Sequence, residues 1–369
     1  MNEPIFIARQ DTLEQEILPA HWLAQYKLFG EESYTFQDKG IWKKLCMSSA
    51  AANDRDIHAE ALEEMLTTFS AEHTGKWMLL VYGMEAAVLE GLASMAAIAA
   101  NGTAMAAVAG NALLMHAITN SETAMHAIAN SETAMQRVAN STTAMDAIGG
   151  SKIARDEVQA SPYYNSYIKE NDMAIAKLAV SFANLASAGY SGMAGVAADA
   201  TAMTAVAASA TAMNAVAASS TAMTAVAASG VALKAIAQAY KNTANMLQFL
   251  KAVNASDTLI KRIYSTLTNA TAFFGASQLG SQDGVESANS WATTSAAPNA
   301  FLACACGYYS SGGSSVNVTY NGTVIAQNKT GAKQPGSVTS TNVNAITMAP
   351  STFTENGDGW LAVQKFTAK

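Results

Sequence analysis

Residues 121–150 read Ser121-Glu-Thr-Ala-Met-His-Ala-Ile-Ala-Asn130, Ser131-Glu-Thr-Ala-Met-Gln-Arg-Val-Ala-Asn140, Ser141-Thr-Thr-Ala-Met-Asp-Ala-Ile-Gly-Gly150. The same decapeptide, less cleanly, begins near Ala93. Its apolar mark falls on Met95, Met105, Met115, Met125, Met135 and Met145, each followed three residues later by Ile98, Val108, Ile118, Ile128, Val138 or Ile148. The cadence returns at Met193, Met203, Met213 and Met223, paired with Val196, Val206, Val216 and Val226. A fixed internal period of this kind predicts a repeat architecture.

Ala and Met favour helix, and the i, i+3 pair lies on one helical face. Ser or Asn at the start of a unit is a good N-cap, with Thr and Glu in the first turn. One continuous helix would let the apolar stripe drift by about 80° every ten residues, and a coiled-coil seam needs a period near 7 or 11. The period therefore predicts short helices of about two turns, unstable alone and stacked on one another. The expected fold is mainly α: an α-solenoid-like shaft of ten-residue short-helix repeats, an α-rich N-terminal domain and a small antiparallel β-domain at the C-terminus.

Degenerate pairs extend the shaft: Ile175 and Leu178, Leu233 and Ile236, Leu250 and Val253, Ile260 and Ile263. Breaks are expected near Gly189 to Gly192 and Ala239 to Thr243. An insertion near 150–192 would carry the aromatic run Ser161-Pro-Tyr-Tyr-Asn-Ser-Tyr167, with Pro162 ending a helix and a longer helix from Asp172 to Ala188. The expected domains are 1–92, an attachment domain; 93–275, the shaft; and 276–369, the β-tip. In the first, Asp11-Thr-Leu-Glu14 resembles a capping box, residues 53–69 have a helical pattern, and Trp22, Trp42 and Trp77 are candidate anchors. In the last, Val316 to Ala326 alternates around Asn321-Gly322, a hairpin signal, with further strands at Phe301 to Tyr309 and Gly359 to Phe366.

Charged residues make up only 13% of the chain, and the net charge of −7 gives no electrostatic reason for nucleic-acid binding. The N-terminus lacks the basic and apolar regions of a signal peptide, and no run of about 18 apolar residues predicts a membrane span. Three cysteines, Cys46, Cys304 and Cys306, do not make a disulfide framework.

Candidate chemistry is sparse. Cys304 and Cys306 at i, i+2 match neither a zinc nor a redox motif and are expected to be buried thiols. His116 and His126 share one repeat position that Ala106, Gln136 and Asp146 hold elsewhere, which predicts a solvent-facing column rather than a metal site. The methionine ladder is expected to be core. Three glycosylation sequons begin at Asn317, Asn321 and Asn328, and Glu355 with Asp358 fits a turn. No cofactor, catalytic motif or metal site is expected.

Ser219-Ser-Thr-Ala-Met-Thr-Ala-Val-Ala227, set between a non-repetitive N-terminal segment and a β-rich C-terminus, resembles the Ala/Met repeats of tailed-bacteriophage tail fibre and receptor-binding proteins. The resemblance covers roughly residues 93–275 by motif and the flanks by layout. A β-helical shaft pattern, usual in that family, is absent here. The resemblance implies a non-enzymatic virion protein made in the host cytoplasm and assembled as a homotrimer. Its expected partners are other virion proteins and a host surface glycan or protein. Within this layout, Tyr308, Tyr309, Tyr320 and Trp360 of the β-domain are the candidate receptor-contacting residues, since aromatic rings near amides suit sugars and protein loops. An intracellular scaffold whose stacked surface binds a partner protein is the alternative.

Overall fold

The structure, a computed structural model, describes residues 95–369 apart from Tyr240 and the stretches 286–289, 294–298, 309–314, 331, 334–336, 349–350 and 357–358. The expected N-terminal domain, with Asp11, Glu14, Trp22, Trp42, Trp77 and Cys46, lies outside the described residues, as does Tyr309. The chain divides into two compact units, residues 1–168 and 169–369. It is mainly helical, with a small β region at the C-terminus.

In the first unit every decapeptide is one short helix. These are α1 (Met95–Ala100), α2 (Gly102–Gly110), α3 (Ala112–Thr119), α4 (Glu122–Ala129), α5 (Glu132–Ala139), α6 (Thr142–Gly150) and α7 (Lys152–Ala160). Every Met from 95 to 145 and its Ile or Val partner is buried, and residues 106, 116, 126 and 136 are exposed. Each helix packs on the third helix after it: α1 on α4, α2 on α5, α3 on α6, α4 on α7. One layer of the stack thus takes three repeats.

The serine at each corner explains why this packing is stable. Ser121, Ser131, Ser141 and Ser151 accept a hydrogen bond from the N–H three residues on, satisfying one of the orphan donors of a helix start. The same hydroxyls also donate. Ser131 Oγ reaches the carbonyl of Ala99 at 2.7 Å, and Ser141, Ser151 and Ser161 reach those of Ala109, Thr119 and Ala129 at 2.5 Å, always 32 residues back. Those carbonyls close earlier helices and lack an intrahelical acceptor role. One hydroxyl therefore repairs a helix start and a helix end in adjacent layers. Ala before Met105, Met125, Met135 and Met145 lets the backbones approach closely enough for this.

The insertion expected at 150–192 is shorter than the sequence suggests. Ser151 and α7 continue the repeat in phase, with Ala154 and Val158 buried. The departure begins at Pro162, where residues Tyr164–Ile168 form a π-helical turn that packs on α5.

In the second unit the helices are α8 (Asp172–Phe182), α9 (Met193–Ala198), α10 (Ala200–Ala208), α11 (Ala210–Ala218), α12 (Ser220–Ala227), α13 (Gly230–Gln238), α14 (Thr243–Asn254) and α15 (Asp257–Asn269). The every-third rule holds again: α8 on α11, α9 on α12, α10 on α13, α11 on α14 and α12 on α15. Successive helices turn sharply, by 102° from α10 to α11 and by 95° from α12 to α13. The helix expected to run from Asp172 to Ala188 stops at Phe182. Asn184 takes φ +59° and Gly189 φ +94°, left-handed conformations that end a helix and start a turn.

The rungs in this unit are irregular. Ser229 Oγ keeps the 32-residue bond, to Ala197 at 2.5 Å. Ser209 instead donates to Phe182 at 2.9 Å, Asn245 Nδ2 to Ala208 at 3.1 Å and Thr266 Oγ1 to Ala227 at 2.8 Å. The polar side chain changes while its task, covering a helix-end carbonyl, stays.

The strands are β1 (Phe274–Val285), β2 (Ser290–Thr293), β3 (Ala300–Tyr308), β4 (Ser315–Tyr320), β5 (Thr323–Thr330), β6 (Ala332–Lys333), β7 (Ala345–Met348), β8 (Ser351–Asn356) and β9 (Gly359–Ala368). One sheet runs β1-β9-β3, with β6 and β7 both on the far edge of β3; the other runs β2-β8-β4-β5. Pairing is antiparallel except for the two-residue β3–β6 contact. The expected hairpin is β4–β5, with Asn321 at φ +48° and Gly322 at φ +77°, the signs a two-residue turn needs.

These sheets are not a separate tip. Phe301, Val318, Phe353 and Phe366 belong to one continuous core with Phe249, Leu250, Val253 and Ile263 of the last helices. Polar contacts join the two parts as well. Asn254 Nδ2 donates to the Ile346 carbonyl at 2.7 Å and its Oδ1 accepts from the Ile346 N–H at 3.1 Å, so one amide extends the edge of β7. Tyr264 Oη donates to the Val338 carbonyl at 2.9 Å, and its ring meets Phe366 edge-on at 5.7 Å.

Candidate recognition surfaces

Of the four aromatic residues expected to meet a receptor, two are core. Tyr320 and Trp360 are each 0% exposed. Tyr320 points into the shared core, where burial pushes its hydroxyl up to about 12. Trp360 lies on the other face of its sheet with Ala305 and Ala362, and Val338 packs against them. Alternation along β9 explains this: Leu361 and Val363 face the common core, so Trp360 and Ala362 face away from it. Neither the Tyr320 hydroxyl nor the Trp360 indole N–H finds a partner among the described residues. The assignment of these two residues to receptor contact is corrected accordingly, because a ring with no exposed surface cannot stack on an incoming ligand. Tyr308 closes β3, its backbone paired with Gly359 and Lys333.

Among its described residues the β region exposes the β4–β5 hairpin. Asn321, Gly322, Val324, Gln327 and Asn328 are exposed, and Val324, at 50%, is one of two large apolar side chains that stand out among the described residues. A side chain braces the hairpin: Asn317 Oδ1 accepts the Asn328 N–H at 2.6 Å, and Asn328 sits at φ +50°. β5 is the edge of its sheet.

The second aromatic surface is the π-helical turn of the first unit. Ser161 holds its corner bond to Ala129, and Ile168 is buried as the repeat requires. Between them the buried Ala-Met pair of an ordinary unit is replaced by Tyr164 and Asn165, and Asn165 is exposed. Tyr163, Tyr164 and Tyr167 are half-buried. Tyr167 Oη donates to Glu132 Oε1 at 2.7 Å, and this bond, before burial and the nearby charge, raises its hydroxyl above the ordinary value. Tyr164 takes a core position of the repeat without being buried as core, and π turns often mark functional positions.

The remaining candidates resolve simply. Cys304 and Cys306 are buried thiols; burial, with Cys306 nearby, pushes the Cys304 thiol far up, and Cys306 Sγ donates to the Lys329 carbonyl at 3.4 Å. His116 and His126 do not form a column. Neighbouring repeats lie on different sides of a layer, so vertical neighbours come from three repeats away, and His126 Nδ1 meets Glu157 at 3.1 Å. Among the described residues no group of His, Cys, Asp and Glu could hold a metal ion. Among them, too, no single helix is long and apolar enough to cross a membrane, although the bent pairs α10–α11 and α12–α13 pass by length and composition together.

One polar cluster gave no sequence signal. Glu170 caps the start of α12 from fifty residues away. Its carboxylate accepts the N–H of Ser220 at 3.1 Å and of Thr221 at 3.0 Å, and the hydroxyls of Ser220 at 2.8 Å and Thr221 at 3.0 Å. A carboxylate at a helix N-terminus is favoured by charge and geometry together. Burial alone would raise its pKa, but the donors from Thr221 and Ser220 outweigh it and hold the carboxyl below its ordinary value. Neither a protein-family model nor a curated protein matches the chain.

Proposed function

We propose that the chain is a structural, non-catalytic protein of a virion fibre, attached through residues 1–92 and contacting the host surface through its C-terminal β region. In this reading the decapeptides of each unit stack as an α-solenoid with three helices per turn that serves as a spacer, and the protein works as a homotrimer in the assembled virion. The observation that carries the reading is the contrast in surfaces. The stacked repeats expose small or variable side chains around a recurring core, whereas the β4–β5 hairpin presents Asn321, Val324, Gln327 and Asn328 on a hydrogen-bonded frame. Loops held on a rigid scaffold are favoured places for recognition.

Removal of residues 276–369 would strip the cover from Phe249, Leu250 and Val253, so surface substitution is the better test. Val324→Glu with Gln327→Glu should leave the melting curve intact and abolish adsorption of particles to host cells. Undiminished adsorption would move the contact elsewhere, first to the tyrosine turn at Tyr163, Tyr164 and Tyr167.

A second reading is an intracellular scaffold. Its support is the low rise of the stack: thirty residues add one layer, about 8–10 Å at helix-packing distances, against about 45 Å for a single helix. Particles that lack the protein in their assembled tails would favour that reading.

A further inference from the structure

The corner bonds of the first unit have one property that those of the second lack: they are interchangeable. Ser131, Ser141, Ser151 and Ser161 all reach back 32 residues, to carbonyls that any repeat supplies. The buried set recurs in neighbouring repeats as well, Ala124-Met125 with Ile128-Ala129 and Ala134-Met135 with Val138-Ala139. Contacts particular to one repeat are exposed, as with His126–Glu157 and Tyr167–Glu132, and exposed pairs contribute little.

We infer that this array is an adjustable spacer, in which each added or removed decapeptide rotates the later repeats of the same stack by one third of a turn, and only multiples of three change the length of that stack without rotation. The inference rests on the spacer reading of the stack. Register is kept by a rule, 32 residues back, so a new repeat takes the place of the old one and every later repeat of that stack moves round by one side.

Cross-linking can read the register directly. A side chain on Gly102 would stand 3.6 Å from the Thr133 methyl, on the layer above. In a full chain carrying Cys46→Ser, with Cys304 and Cys306 buried, the pair Gly102→Cys and Thr133→Cys should join through a short thiol cross-linker. The pair Gly102→Cys and Thr123→Cys should not. After insertion of a copy of residues 111–120 following Asn120, the two results should exchange, while the protein still melts cooperatively. Persistence of the original cross-link in the insertion variant would mean that the extra unit loops out, and loss of both with loss of helix would mean that the units are not interchangeable; either overturns the inference. If the 102–133 pair fails to join in the chain without insertion, the stacked array itself is wrong, which is the failure of the underlying reading.

Discussion

The two helical stacks use the same decapeptide and the same every-third packing, yet they are held in register by different means. In the first unit one residue type, serine, makes the same bond at successive corners. In the second the bonds come from Ser209, Ser229, Asn245 and Thr266 over varying distances, and unique contacts supplement them. Asp172 Oδ1 caps Met193 N–H at 2.8 Å across the gap between α8 and α9, and Glu170 caps α12. A repeat stack can thus be generic or addressed. A generic stack tolerates change in number, and an addressed one can bear a sheet at a fixed place.

The shared feature is the core, and breaking it should have the largest effect in either stack. Met213 is 0% exposed and Asn214 beside it is exposed. Met213→Asp should cost on the order of 3–5 kcal/mol, as for other uncompensated buried charges, while Asn214→Asp should change stability by about 0.5 kcal/mol or less. Urea unfolding of the pair checks this; equal midpoints would remove the burial assignment.

Glycine substitutions should separate the stacks by sign. A methyl on Gly192 would meet the Asp172 carboxylate at 2.1 Å and disturb the Met193 cap, and one on Gly230 would meet the Phe273 ring at 2.8 Å. Gly192→Ala is expected to destabilise by about 1–3 kcal/mol. Gly110 in the first stack has nothing within 4 Å and lies at a helix end. Gly110→Ala should stabilise by about 0.4–1 kcal/mol. Thermal melts of the two variants should move in opposite directions.

How far a feature is legible in the sequence depends on whether it is local. The short helices, the buried Met and Ile or Val positions and the Asn321-Gly322 turn follow from period, propensity and a two-residue signature. The three-helix layer does not, because a ten-residue period fixes where each helix ends but not the angle of the next. The layer is tied by the second bond of the corner residue, to a helix-end carbonyl of an earlier layer that local spacing does not name. Tyr320 and Trp360 depart from expectation for a related reason: aromatic composition shows a large apolar surface, and strand alternation alone cannot say whether each face is covered. Glu170 leaves no trace in the sequence because its partners lie fifty residues on, in a repeat without any charge.

Loss of a single corner should be a smaller effect. Ser141→Ala removes the N-cap of α6 and the bond to Ala109, for an expected cost of about 0.5–2 kcal/mol. Ser141→Thr should recover most of it. Hydrogen exchange should show the loss at Ala144 N–H, which loses its acceptor.

The smallest effect concerns acid. Glu170 has a folded pKa below its ordinary value of 4.5. Its contribution is therefore present above that ordinary value and is lost as pH falls through the folded one. Urea midpoints of the wild-type chain and Glu170→Gln should differ at pH 7 and converge in acid; a constant difference would show that the charge of the cap is immaterial.

Central to the stack is that vertical neighbours are three repeats apart. Isotope-edited NMR of a chain labelled at glycine and at threonine methyls tests it directly. A cross-peak between Gly102 and the Thr133 methyl is expected, since that methyl lies 3.6 Å from the side-chain position of Gly102. Cross-peaks from Gly102 to Thr123 or Thr143 in its place would contradict the three-helix layer.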